Sequence, residues 1–195
     1  MVKVGFITEG KADKILLTSD RFKKYLFHKH SIEFDDNDIR YFGGKSLIKK
    51  HFKSLLAGLN KTDVAYIFIM IDQDDKEDQR KNRKYKPKDC PLVVVEEIKN
   101  FGENHHYLQE NLIFVVMTRE MEAWFLADPN LNFDCNGQEP EIILNPSDLV
   151  AKQLGTCSHG RIAHKIKDKF SLERAAQNAP SAQRFLDKLI YISQQ

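Results

Sequence analysis

Residues 64–75 read VAYIFIMIDQDD, and this stretch decides the fold. The run from Val64 to Ile71 is almost wholly apolar, which predicts a central parallel strand that is covered on both faces. Acidic residues follow this strand at once, at Asp72, Asp74 and Asp75. In open parallel α/β sheets, ligands bind beyond the carboxyl ends of the strands. The stretch therefore predicts both a sheet strand and a ligand site at its end.

Further strand and helix patterns alternate along the chain. The other predicted strands are Val2–Thr8, Ile39–Phe42 and Leu112–Met117. The predicted helices are a pattern that starts near Ile15 and is broken around His28–Ser31, then Ser46–Leu59, Pro91–Asn104 and Glu120–Ala127. This alternation predicts an α/β fold, a Rossmann-like parallel sheet flanked by helices.

The character of the sequence changes after Asp128-Pro129. We therefore predict an α/β domain over residues 1–129. Residues 130–195 are predicted to form a loop and a C-terminal helical extension, a small subdomain packed on the first. Ser181 follows the breaker Asn178-Ala179-Pro180 and is the predicted N-cap of the last helix.

The composition of the 195 residues indicates a globular protein of the cytoplasm. Hydrophobic residues make up 42% of the chain, which is enough for a core, and the formal net charge is only +2. We find no secretory signal and no membrane span in the sequence. The three cysteines are widely spaced, which fits a reducing compartment better than a disulfide framework.

Carboxylates follow three of the predicted strands. Glu9 ends the first strand, Asp72 and Asp74 follow the third, and Glu120 and Glu122 follow the fourth. In a parallel sheet these strand ends meet at one edge, where converging carboxylates need a positive charge to neutralise them. Mg²⁺, or Mn²⁺, takes oxygen ligands of this kind. We therefore predict a metal site built from Glu9, Asp72 and Asp74.

Each of these signals has a structural alternative. A glutamate before a glycine is commonly a turn residue, acidic loops are usually solvated, and Glu122 would favour a helix start through the helix dipole. Asp13 could join the cluster or serve only its own helix N-terminus. The occurrence of acidic residues after two buried strands, at Glu9 and Asp72, favours the metal site.

The order strand–Glu9-Gly10–helix followed by strand–Asp72-x-Asp74 resembles the TOPRIM domain of topoisomerases, primases and OLD-family nucleases. The motif EGKAD at residues 9–13 looks like the entry of OLD-like TOPRIM proteins. The motif EMEAWFLAD at residues 120–128 is similar to a bacterial TOPRIM-like family of unknown function related to RloB. The resemblance covers roughly residues 2–127. It implies a TOPRIM-type fold, acid–base or metal-binding chemistry at Glu9, and Mg²⁺ binding at Asp72 and Asp74.

The function that the resemblance implies is Mg²⁺-dependent phosphodiester hydrolysis, by a nuclease acting on DNA or RNA, in a group that often occurs in phage defence. Asp13 and Glu122 would assist Glu9, and Lys165 is the predicted cation opposite the metal. The sequence contains no ATPase region, so nucleotide control would require a separately encoded ATPase. The alternative is a non-catalytic TOPRIM-like module that regulates or binds a partner. A receiver-like phosphoacceptor fits less well, because receivers usually carry an acidic pair at the first strand end.

Two basic features predict nucleic-acid contact. Lys45 follows a glycine pair after a predicted strand, a turn that exposes backbone N–H groups to a phosphate, although a plain tight turn is the alternative. A basic run follows the acidic stretch, where it could grip a nucleic-acid backbone or simply be a solvated loop. Its members are Arg80, Lys81, Arg83, Lys84 and Lys86.

Overall fold

A computed structural model describes residues 1–41, 43–73, 95–96, 99–100, 110–156 and 158–195. The strands are β1 (Val2–Thr8), β2 (Ile32–Glu33), β3 (Ile39–Tyr41), β4 (Tyr66–Asp72) and β5 (Leu112–Met117). The helices of the first part are α1 (Lys11–Leu17), α2 (Asp20–His30), α3 (Lys45–Asn60) and α4 (Met121–Ala127). Those that follow are α5 (Pro146–Leu154), α6 (His159–Ile166), α7 (Leu172–Ala176) and α8 (Pro180–Ser193). Short 3₁₀ turns occur at Asp36–Asp38, Pro129–Leu131 and Pro140–Ile142.

The strands form one parallel sheet, as the sequence predicts. β1 pairs with β4 on one side, and β4 pairs with β5. On its other side β1 pairs with β2 near its start and with β3 near its end. The chain thus leaves β1 toward one edge of the sheet and later returns to its opposite side. The boundary between β1 and β4 is therefore the point where the strand order reverses, the usual place for a ligand in such sheets.

Side chains of the strands alternate between two cores. Phe6, Phe68 and Met70 point to a core shared with α2, α4 and α8. Ile7 and Ile69 point to the opposite face, where α3 packs. The apolar side chains of residues 67–71 are fully buried. A strand that is apolar on both faces therefore lies between two layers of helices, and the predicted α/β fold is confirmed.

The first helical segment differs from its prediction. The sequence predicts one helix broken around His28–Ser31, but the structure has two helices, because α1 ends at Leu17 and Ser19 caps α2. The Ser19 hydroxyl accepts a hydrogen bond from the backbone N–H of Phe22, at 3.3 Å. The predicted end near residue 30 is confirmed, since Ser31 closes α2 in a left-handed conformation with φ of 53°.

The last helix also begins differently. Its N-cap is Ala179, and Pro180 occupies the first helical position, so the prediction that Ser181 caps the helix is wrong. Ser181 instead lies buried inside the helix. Its Oγ accepts a hydrogen bond from Nε1 of Trp124, at 2.7 Å, and donates one to Oε1 of Glu141. The hydroxyl is thus used for a tertiary contact.

The C-terminal helices share the main core. Phe185 of α8 stacks on Trp124 with ring centroids 5.6 Å apart, and it also contacts Phe68 of the sheet. A buried ion pair adds to this packing, since Nε of Arg174 lies 2.6 Å from Oδ1 of Asp128. A domain boundary at residue 129 stays a prediction. Within the described ranges, no helix is long and apolar enough to cross a membrane.

Several predicted features lie outside the described residues. They are Phe42 of the second predicted strand, most of the predicted helix Pro91–Asn104, Asp74 and Asp75, and the basic run with Arg80, Lys81, Arg83, Lys84 and Lys86.

Candidate functional site

Glu9 and Asp72 meet where two neighbouring parallel strands end. Glu9 follows β1, Asp72 is the last residue of β4, and the strands pair in register up to Thr8 and Met70. The backbone N–H of Asp72 donates a hydrogen bond to Oε2 of Glu9, at 3.2 Å. Two acidic residues that are 63 positions apart in the sequence are thereby held side by side at the strand-order reversal.

Asp13 enters the same site from the first turn of α1. Its side chain is 3% exposed, and its Oδ2 accepts a hydrogen bond from the backbone N–H of Gly10, at 2.9 Å. Burial raises the pKa of Asp13 from 3.8 to about 7; the Gly10 hydrogen bond lowers it, and the charges of Glu122 and Glu9 raise it. Asp13 therefore does both things that the sequence allows: it caps α1, and it belongs to the acidic cluster, which we define as Glu9, Asp13, Asp72, Glu120 and Glu122.

The carboxylate of Asp72 has a buried oxygen, Oδ1, that no hydrogen bond stabilises. Burial raises the pKa of Asp72 well above its ordinary 3.8, and the charges of Glu9 and Asp13 raise it further, followed by those of Glu120 and Glu122. A buried carboxylate oxygen without a partner is costly, and a cation is one way to satisfy it.

The two glutamates after β5 complete the cluster from the other side. Glu120 is the N-cap residue of α4, and its Oε2 accepts a hydrogen bond from the backbone N–H of Ser147, at 3.2 Å. Glu122 is buried in the first turn of the same helix. Its Oε1 lies 2.9 Å from Nδ1 of His159, whose side chain is 51% exposed. Glu122 thus links the buried cluster to a histidine that reaches solvent.

The donor set fits a hard divalent cation. The side chains of the acidic cluster offer only carboxylate oxygens. Among the residues that the structure describes, no three His, Cys, Asp or Glu side chains are grouped closely enough to hold a metal ion. Mg²⁺ usually takes one or two protein carboxylates and keeps several waters. Oδ1 of Asp72 and the adjacent Glu9 supply that number, and Asp74 lies outside the described residues.

Two residues, one in contact with the site and one next to it in the chain, were not predicted from the sequence. The contact between His159 and Glu122 joins residues that lie 37 positions apart, so no local pattern in the sequence indicates it. Arg119 precedes Glu120 directly and has a left-handed backbone with φ of 69°. A non-glycine residue in that conformation is uncommon and is often found at functional sites. The only sequence signal for Arg119 is its position between β5 and α4.

The remaining predicted site residues are placed as follows. Lys165 lies on α6, and its Nζ donates a hydrogen bond to the backbone oxygen of Leu154, at 2.9 Å. That contact caps the end of α5 and gives no support to a role opposite a metal, so this role stays a prediction. Lys45 is the first residue of α3, directly after the glycine pair. The backbone of Gly43 and Gly44 has positive φ, at 67° and 145°, which glycine adopts readily, and both the phosphate-binding turn and the plain tight turn allow it.

Comparisons with known proteins identify the family and nothing further. A family model described as "Domain of unknown function (DUF4276)" matches residues 9–190, so the chain belongs to this family. Searches of the curated proteins and of the solved structures gave no match. The family description names no activity, and the likeness to TOPRIM proteins therefore stays a prediction.

Proposed function

We propose that this member of the DUF4276 family is a Mg²⁺- or Mn²⁺-dependent nuclease that hydrolyses phosphodiester bonds at the acidic cluster. The observation that carries the proposal is the buried Oδ1 of Asp72, which has no hydrogen-bond partner and faces the negative charges of Glu9 and Asp13. Structural carboxylates are normally paired or hydrogen-bonded. A buried carboxylate oxygen that lacks a hydrogen bond and lies among other carboxylates is expected where a cation binds.

Asp72 and Glu9 are the residues that would hold the cation, with Asp74 as a predicted further ligand. When bound, a divalent ion supplies charge stabilisation to a phosphate and lowers the pKa of a coordinated water. Glu9 is fixed for this role by the hydrogen bond from the Asp72 backbone. Four carboxylates of the cluster thus have hydrogen-bond partners within the protein before any ligand arrives, namely Glu9, Asp13, Glu120 and Glu122. Electrostatic catalysis requires such preorganisation.

Proton transfer is the proposed role of the pair Glu122–His159. His159 is half exposed and can exchange protons with solvent, while Glu122 is buried and fixes the orientation of the ring. Such a histidine can give a proton to the leaving oxygen or take one from the attacking water. Arg119 lies between β5 and α4, directly before Glu120, and is the proposed cation for the substrate phosphate.

Nucleic acid is the proposed substrate, as DNA or RNA. The sequence supports it through the basic run that follows Asp72, and the resemblance supports it through the nucleases of the TOPRIM group. A role in phage defence and a separately encoded ATPase partner belong to the same proposal.

The test is a cleavage assay with labelled plasmid, single-stranded DNA and structured RNA, in Mg²⁺, Mn²⁺ or EDTA. The wild type is expected to cut at least one substrate in either metal and none in EDTA. Asp72→Asn should abolish cutting, and Asp168→Asn, which changes an exposed aspartate in the turn after α6, should not. If no substrate is cut in any metal, the nuclease is excluded and the non-catalytic module remains.

A further inference from the structure

Tyr41 is an exposed aromatic residue at the edge of the acidic cluster. It is the last residue of β3 and pairs with Thr8 of β1, the residue that precedes Glu9. Tyr41 is 41% exposed, whereas Ile39, at the other end of the strand, is buried. The parallel register therefore places an aromatic side chain at the same edge of the sheet as the proposed metal ligands.

A lysine covers part of the Tyr41 ring. Nζ of Lys14 lies 5.6 Å from the ring centroid, within the range of a cation–π contact. Lys14 belongs to α1 and directly follows Asp13, so the same helix supplies a residue of the acidic cluster and the cation on the ring. A tyrosine ring that contacts a cation and still exposes a large part of its surface can also stack against a planar group.

Nucleobases are planar groups of this kind. Base–aromatic stacking is a recurrent way of binding single strands, and it tolerates any base because every base has a π face. In a duplex both faces of each base are already stacked within the helix. A stacking residue beside a phosphodiester site therefore selects nucleotides that are unpaired or have been flipped out. Lys14 adds a positive charge that a nearby phosphate would contact.

We infer that Tyr41, supported by Lys14, is a stacking platform for an unpaired nucleobase, and that the substrate of the acidic cluster is single-stranded nucleic acid. The inference rests on the proposed nuclease function and narrows its substrate class. Its physical basis is the juxtaposition of Tyr41 with Thr8 and Glu9 at one sheet edge.

The test measures binding separately from cutting. Fluorescence anisotropy in EDTA compares a labelled single-stranded oligonucleotide with a duplex of the same length. The wild type is expected to bind the single strand more tightly. Tyr41→Ala should weaken single-strand binding by about tenfold or more, and Tyr41→Phe should retain it, because phenylalanine keeps the stacking surface.

Tyr191→Ala is the matched control. Tyr191 is 63% exposed but lies beside Leu112 and Ile113, at the opposite end of β5 from the acidic cluster. Its removal should leave binding unchanged. The platform is overturned if the wild type does not prefer the single strand, if Tyr41→Ala leaves its affinity unchanged, or if Tyr191→Ala weakens it equally. Tyr41-dependent binding without metal-dependent cutting would retain the platform and overturn hydrolysis.

Discussion

Nδ1 of His159 lies 2.9 Å from Oε1 of Glu122, and this contact joins the C-terminal helices to the acidic cluster of the sheet. Glu122 lies in the first turn of α4, and His159 is the first residue of α6. The helices after residue 129 thus contribute directly to the candidate site. The family match to residues 9–190 spans both parts of the chain.

The first prediction concerns His159. His159→Gln can still donate a hydrogen bond to Glu122 but cannot transfer protons at neutral pH. Cleavage is therefore expected to slow by about a hundredfold, within the range usual for general acid–base groups. The measurement is the single-turnover cleavage rate in Mg²⁺. His164→Gln, an exposed histidine of the same helix, serves as the control and should leave the rate unchanged. Equal rates for His159→Gln and the wild type would contradict the role.

The second prediction concerns the metal-free stability of an Asp72 variant. Asp72→Asn removes a buried carboxylate from the field of Glu9 and Asp13. The free energy of unfolding at pH 8 in EDTA should rise by about 1–2 kcal/mol, because an uncompensated buried charge is destabilising. Urea unfolding measures it, with Asp168→Asn as the surface control, expected within about 0.5 kcal/mol of the wild type. A less stable Asp72→Asn would show that the carboxylate is already compensated.

The third prediction is a pH dependence that arises from Asp13. Its pKa is raised from 3.8 to about 7 in the folded state, so the folded protein holds a proton that the unfolded chain has lost between these values. The stabilising contribution is complete below about pH 3.8 and is lost as the pH rises through about 7. Lowering the pH from 8 to 6 in EDTA should therefore raise the melting temperature.

The Asp13→Asn variant is the control for this pH effect. Its side-chain oxygen can still accept the hydrogen bond from Gly10, so the cap of α1 is kept. The rise in melting temperature between pH 8 and 6 should be smaller in this variant. Saturating Mg²⁺ should also reduce it in the wild type, since the cation replaces the proton. An identical pH profile for Asp13→Asn would contradict this account.

The fourth prediction concerns the ion pair of Asp128 and Arg174. Asp128 is 1% exposed, and both of its oxygens accept hydrogen bonds from the Arg174 guanidinium. Arg174→Ala leaves this carboxylate buried without its cation and should cost about 3–5 kcal/mol of stability. Equilibrium urea unfolding is the measurement. Arg161→Ala, at an exposed arginine of α6, should have little effect. A loss below about 1 kcal/mol would mean that water replaces the guanidinium.

The fold was predictable because its strongest signals are local. β1 and β5 have the predicted bounds, since each is a short apolar run that the sheet buries. The split between α1 and α2 was missed because the apolar pattern continues across it. The signal that marks the split is Ser19 followed by Asp20, a helix start within an otherwise helical sequence.

The candidate site was predictable only where sheet topology determines it. Parallel strands bring their carboxyl ends to one edge, so the proximity of Glu9 and Asp72 follows from the strand assignments alone. The pair Glu122–His159 depends on how α6 packs, which no local pattern reports. Ser181 shows the same limit: its sequence context predicts an N-cap, but the Trp124 and Glu141 side chains engage its hydroxyl within the core.

The most direct test of the acidic cluster as a metal centre is a calorimetric titration of the metal-free protein with Mn²⁺. The account predicts saturable binding of one or two ions per chain, lost in Asp72→Asn and retained in Asp168→Asn. Absence of binding in the wild type, or equal binding in Asp72→Asn, would contradict it.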